Sequence, residues 1–178
     1  MDADLEQFVR DQKDKAEILD RIMTYCKGID RLDRDLLVSV YHPDALDDHG
    51  IFVGPVEQYF DWIIDFHRTH QQRTMHSITT HFCELDGDTA HTETYFLYRA
   101  LNRKPPYFNM AVGRYLDRFE KRDGCWKIAH RVCVTDILDE QFDPNGDVGD
   151  ANHPRTARDR TDPSFQRPLA VDPARFTV

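Results

Sequence analysis

No apolar run in this 178-residue chain approaches the ~18 residues that a membrane span requires. The opening MDADLEQFVRDQKDK also lacks the charged-then-apolar layout of a secretory signal. The expectation is a cytoplasmic protein without membrane contact. Positive charge is short as well: 23 Lys and Arg stand against 32 Asp and Glu, a net charge of −9. That balance argues against a non-specific nucleic-acid or anionic-lipid surface and favours neutral, cationic or small-molecule partners. The basic stretch PRTARDR near the C-terminus is brief and offset by neighbouring acids. Cys26, Cys83, Cys125 and Cys133 are scattered without a C-x-x-C, which predicts reduced thiols rather than a metal or disulfide framework. A Gly-rich phosphate loop, G-x-S-x-G, H-E-x-x-H and any zinc frame are missing too. Neither metal nor cofactor is expected, and the chemistry left is acid–base chemistry.

What the chain does have is enough apolar content, 40%, for one domain core. Residues from about 5 to 30 predict a long helix in which Leu19, Ile22, Met23 and Cys26 recur at i, i+3, i+4 and i+7. Asp33 suits the N-cap of a short second helix, DRDLLVSVY. Pro43 stops it, and HPDALDDHG reads as a strand entering a turn at Gly50, followed by a short strand, IFVG. Pro55 starts a third helix, with Val56, Tyr59, Phe60, Ile63 and Phe66 as its buried face. The period then changes to alternation, giving strands at about 74–85, 89–102, 109–121 and 125–137, the last two joined by KRDG. Consecutive hairpins after three helices predict an α+β domain over residues 1–140, a strongly curved antiparallel sheet covered on one face. Residues 141–178, rich in Asp, Asn, Pro, Arg and Gly, predict an extended tail, mobile or draped over the domain or a neighbouring subunit.

Asp30 occupies the i+11 position of the first helix's apolar stripe, where a core side chain belongs. It must cap, pair or line a cavity, because an unpaired buried charge is costly. His76 shares a strand face with Ile78, Thr80 and Phe82, a row that should look inward, and is the natural partner. The other use of such a histidine is a structural hydrogen bond. Tyr25 could place a hydroxyl at the same cavity or simply pack, and Arg131 could orient a ligand oxygen or lie on a solvated strand face. Asp47, Asp48 and His49 resemble a metal cluster in composition, but a turn accounts for the acids. HRTHQQR, residues 67–73, reads as a helix end whose cationic side chains suit the negative end of the dipole.

The order GIDRLD, YHPDALDDHG, GPVEQYFDWI, TMHSIT and YLDRFEKRDGCWKIAHR, over residues from about 14 to 138, resembles the SnoaL-like branch of the nuclear transport factor 2-like superfamily. That branch includes scytalone dehydratase, hexachlorocyclohexane dehydrochlorinase, bile acid 7α-dehydratase and cofactor-free lyases that release formaldehyde. The resemblance implies a curled sheet and three helices forming a cone-shaped pocket. It implies Asp30 and His76 as a catalytic dyad in which the histidine takes a proton from substrate carbon. Tyr25, His49 and Arg131 then fall where relatives bind substrate. The implied activity is a cofactor-independent lyase that removes water, halide or formaldehyde from an apolar aromatic or polycyclic substrate, working as a homodimer or homotrimer. A non-catalytic ligand-binding or partner-docking domain, or an isomerase or epoxide hydrolase on the same fold, are the alternatives.

Overall fold

Two aspartates start the first two helices. The Asp2 carboxylate accepts from the Asp4 N–H ahead of α1 (Ala3–Arg31), and Asp33 accepts from the Leu36 N–H ahead of α2 (Arg34–Val40). The structure, a computed structural model, describes residues 2–140 and 160–177. After α2 the chain enters β1 (Tyr41–Asp48), turns through Gly50 at φ 75° and forms β2 (Val53–Pro55). Pro55 is the N-cap of α3 (Val56–His70). Four long strands follow: β3 (Gln71–Asp86), β4 (Thr89–Asn102), β5 (Phe108–Arg122) and β6 (Cys125–Glu140). The β5–β6 hairpin turns on Asp123 and Gly124, at φ 52° and 77°, the paired positive dihedrals that a two-residue loop requires.

The six strands lie in the order β2-β1-β6-β5-β4-β3. All neighbours are antiparallel except β1 and β6, which run parallel with Asp47 opposite Arg131. Hairpin reasoning reads only consecutive strands, so it did not foresee this pairing between segments far apart in the chain. The result is an α+β fold in which three helices close the concave face of a curved, open sheet. Ile18, Ile22 and Ile29 of α1, Leu37 of α2, Phe60 of α3 and Trp126 of the sheet form the dry part of that core. No helix among the described residues is long and apolar enough to cross a membrane.

Two predicted faces are rotated. On α1 the buried positions are Ile18, Ile22, Tyr25, Cys26 and Ile29, while Met23 is exposed and Leu19 half-buried. Two apolar stripes of helical period compete on this helix, and the one that includes the tyrosine packs. On β3 a bulge between Ile78 and His81 adds one residue against β4, where Ile78 faces Phe96 and His81 faces Thr94. His76 and Ile78 stay inward, but the parity then flips, leaving Thr80 and Phe82 exposed.

Of the segment expected as a tail, residues 141–159 lie outside the described residues. Residues 160–177 pack across the convex face, where Leu169 and Val171 join Val53, Leu116, Val132 and Val134 in a second apolar cluster. Asp162 pairs with Arg114 at 2.9 Å, and Arg175 pairs with Asp48.

Candidate active site

The last turn of α1 carries Asp30 to the edge of the sheet beside β3. Its carboxylate accepts three hydrogen bonds: from the Thr74 hydroxyl at 3.0 Å, the His76 backbone N–H at 2.9 Å and His76 Nδ1 at 2.7 Å. Asp30 is therefore no helix cap, since Leu32 closes α1 with its own backbone N–H. Burial works to raise the Asp30 pKa, but the hydrogen bonds and charge of His76, with Thr74, hold it below the usual carboxylate value. A carboxylate at Nδ1 fixes the tautomer with hydrogen on that nitrogen and leaves Nε2 as the free basic position.

His76 lines a cavity of about 230 Å³ whose walls are mostly apolar and aromatic. Ile29, Trp62, Ile63, Phe66, Phe96 and Leu138 supply the apolar surface. Volume and lining suit a molecule of one or two rings rather than a drug-sized ligand.

A second imidazole enters from the far side of the curled sheet. His49 follows β1, and its Nδ1 is held by the Asp47 carboxylate, whose other oxygen accepts from the Tyr41 hydroxyl at 2.8 Å. His49 Nε2 lies 3.2 Å from the Tyr25 hydroxyl and 3.3 Å from that of Tyr59, and the two hydroxyls are 2.6 Å apart. Burial disfavours the imidazolium, yet the charge and hydrogen bond of the Asp47 carboxylate, together with Tyr25 and Cys133, hold the His49 pKa well above its ordinary value. Burial pushes both tyrosine pKa values up, so the phenols stay protonated. Asp47 and Asp48 do not act together: alternation along the strand sends Asp47 to His49 and Asp48 to the Gly50 N–H and Arg175 on the convex side. Among the described residues no three His, Cys, Asp or Glu side chains come together as a metal frame.

Of the five residues singled out from the sequence, four meet here. Asp30 backs His76, while Tyr25 and His49 line the cavity. Arg131 does not reach it. It is fully buried, paired to Asp117 through Nε at 2.7 Å and Nη2 at 2.8 Å, and its guanidinium carbon lies 4.1 Å from the Tyr25 ring centre and 4.2 Å from that of Tyr115. Its planar fork supports the cavity floor from behind instead of meeting a ligand.

The reading of HRTHQQR as a helix end with cationic side chains suited to the dipole leaves out His67 and Gln71. Both are buried cavity residues: His67 Nδ1 bonds the Gln71 side-chain oxygen, and the Gln71 amide donates to the Tyr98 hydroxyl. Burial drives the His67 pKa down to about 4, so it is neutral rather than a cation at the helix dipole. The overlooked signal was position, since His67 continues the apolar spacing of Phe60, Ile63 and Ile64 on α3.

A SnoaL-like domain model matches residues 10–132. No curated protein matches the chain. Among solved structures, a type 2 hexachlorocyclohexane dehydrochlorinase superposes with a TM-score of 0.68 at 22% identity, covering 81% of this chain and 99% of the other. A candidate scytalone dehydratase from Novosphingobium aromaticivorans gives 0.67 at 17% identity, covering 73% and 89%. A protein from Kribbella flavida gives 0.66 at 18% identity, covering 72% and 94%. At these identities the likeness is one of fold.

Proposed function

The chain belongs to the SnoaL-like domain family, and from that premise we propose that it is a cofactor-independent lyase acting on a small apolar or aromatic molecule. One observation carries the reading. His76 has its Nδ1 held by a carboxylate that accepts three hydrogen bonds, while the ring lines an apolar cavity. Nε2 takes a proton from substrate carbon, and Asp30 stabilises the imidazolium that results. The electrons left on carbon expel a small group from the neighbouring atom. Tyr25 and His49 hold a substrate oxygen from the other side. The dehydrochlorinase and dehydratase names among the structural neighbours fit this reaction class. Leu5, Phe8 and Val9, exposed at helical spacing on the first turns of α1, favour a homodimer or homotrimer that covers them.

The test is incubation of the full chain, in deuterated water, with ring compounds bearing a chloride, a hydroxyl or a hydroxymethyl group beside an activated C–H. Mass spectrometry should record elimination, with deuterium entering unreacted substrate at the activated carbon. Retention of an apolar ligand with neither elimination nor exchange would replace the lyase by a binding domain.

A further inference from the structure

The cavity holds two imidazole–carboxylate pairs, and the proposed lyase chemistry uses the carboxylate of only one. His76 stands on β3 and His49 at the end of β1, strands separated in the sheet by β6, β5 and β4, yet both rings line the same cavity. Around His49 the hydrogens can be counted. His49 Nε2 and the hydroxyls of Tyr25 and Tyr59 form one closed group, with Nδ1 committed to Asp47. With a neutral imidazole, Nε2 accepts from one tyrosine, that tyrosine accepts from the other, and no donor is left over. With an imidazolium, Nε2–H donates to a tyrosine oxygen, one hydroxyl donates to the other, and one O–H remains without a partner in the group. The carboxylate of Asp47, fully buried and braced by Tyr41, favours the second arrangement. The other groups facing His49 are the phenol of Tyr115, the Cys133 thiol, the Asp48 carboxylate and His67, which burial keeps neutral; the Arg131 guanidinium behind the Tyr25 and Tyr115 rings is paired with Asp117.

We propose that Asp47, His49, Tyr25 and Tyr59 form a second proton-transfer site that protonates a departing hydroxyl, so that the group lost is water and the substrate is a small apolar hydroxy compound. The inference rests on the assignment of His76 as base. In the balanced step the C–H bond breaks and its proton goes to His76 Nε2. The C–H electron pair becomes the new C=C bond, and the C–O bond breaks with its pair on oxygen. That oxygen takes the free tyrosine hydrogen, which the imidazolium replaces through Nε2–H, and leaves as water. Exchange with solvent returns the His76 proton and recharges His49. Loss of halide requires no proton donor, and loss of formaldehyde requires its hydroxyl to be deprotonated, so neither uses an acid at this end. Asp47 is a positioning residue here, acting through His49.

Two measurements on the full chain decide it. Nitrogen-15 NMR of the imidazoles at neutral pH should find hydrogen on both nitrogens of His49, and Asp47→Asn should move its titration to lower pH. The reaction probe is the aldol adduct of benzaldehyde and acetone beside its chloride analogue, both followed by the absorbance of the common enone. His49→Gln should lower the ratio of water loss to chloride loss by about 10²–10⁴-fold, the usual range for a general acid, over whatever loss both probes share through binding. A neutral His49, equal losses on both probes, turnover of neither above the buffer rate, or benzaldehyde released in place of enone would each overturn the proposal. His76→Gln tests the base separately, since its failure slows neither probe whatever His49 does.

Discussion

Asp30→Asn keeps the size of the side chain and removes its charge. In the native site one carboxylate takes three donors, from Thr74 Oγ1, His76 N and His76 Nδ1, at 3.0, 2.9 and 2.7 Å. An amide offers one acceptor oxygen and turns an NH₂ towards at least one of those donors. The strain is relieved when His76 moves its hydrogen to Nε2 and accepts from the new amide at Nδ1. The nitrogen facing substrate then carries hydrogen and cannot act as base. The equivalent swap in a Ser-His-Asp triad costs about 10⁴ in turnover through the wrong tautomer, and a loss of that order is expected here. Exchanging charge-assisted for neutral hydrogen bonds should lower stability by only ~1–3 kcal/mol, leaving a folded protein. Because folding depresses the Asp30 pKa, its contribution to stability is complete above the unfolded value of about 4 and is lost as pH falls through the folded value. The variant should lose that part of the acid sensitivity. The assay joins nitrogen-15 NMR of His76, turnover on the aldol and chloride probes, and urea unfolding against pH. A variant that keeps hydrogen on Nδ1, turns over within a few-fold of the parent and unfolds like it would refute the dyad.

His76→Gln should match Asp30→Asn in rate, and the double variant should be scarcely slower than either single, because members of one catalytic unit are not additive; losses that multiply would separate the two residues. Arg131→Met strands the fully buried Asp117 carboxylate and should cost about 3–5 kcal/mol in urea unfolding, much of it recovered by adding Asp117→Leu; a change in substrate affinity without a stability loss would return Arg131 to the cavity. Ending the chain at residue 159 bares the convex cluster that Leu169 and Val171 cover, each buried aliphatic side chain being worth about 1.5–3 kcal/mol, so the unfolding midpoint should fall clearly; an unchanged midpoint would make residues 160–177 idle. Light scattering at micromolar concentration should give a multiple of 20.9 kDa, and Phe8→Glu should shift it towards the monomer, whereas a monomeric parent would refute the assembly.

Local order is strongly written in this sequence. Asp33, Pro55 and the Asp123–Gly124 pair act over a few residues, through a cap bond, a fixed φ and two positive dihedrals, so the helix starts and the last hairpin follow from them without knowledge of the rest. The misfit of Asp30 on an apolar stripe, and of His76 in an apolar row, likewise marks a buried pair, because an ionised group in such a place needs a partner. What sequence cannot carry is rotation and distance. Whether α1 buries Met23 or Tyr25, and where a bulge flips the face of β3, depend on how elements pack, since neighbouring stripes on one helix differ by little in local preference. Arg131 and His67 exchange their expected roles for the same reason. A cation in a strand and a histidine at a helix end look exposed until Asp117 and two tyrosine rings enclose the first, and the concave sheet encloses the second. The pairing of Asp47 with His49 is local, but its place in the cavity of His76 is set by β1 joining β6 in parallel, a contact between segments far apart in the chain that only the tertiary fold can make.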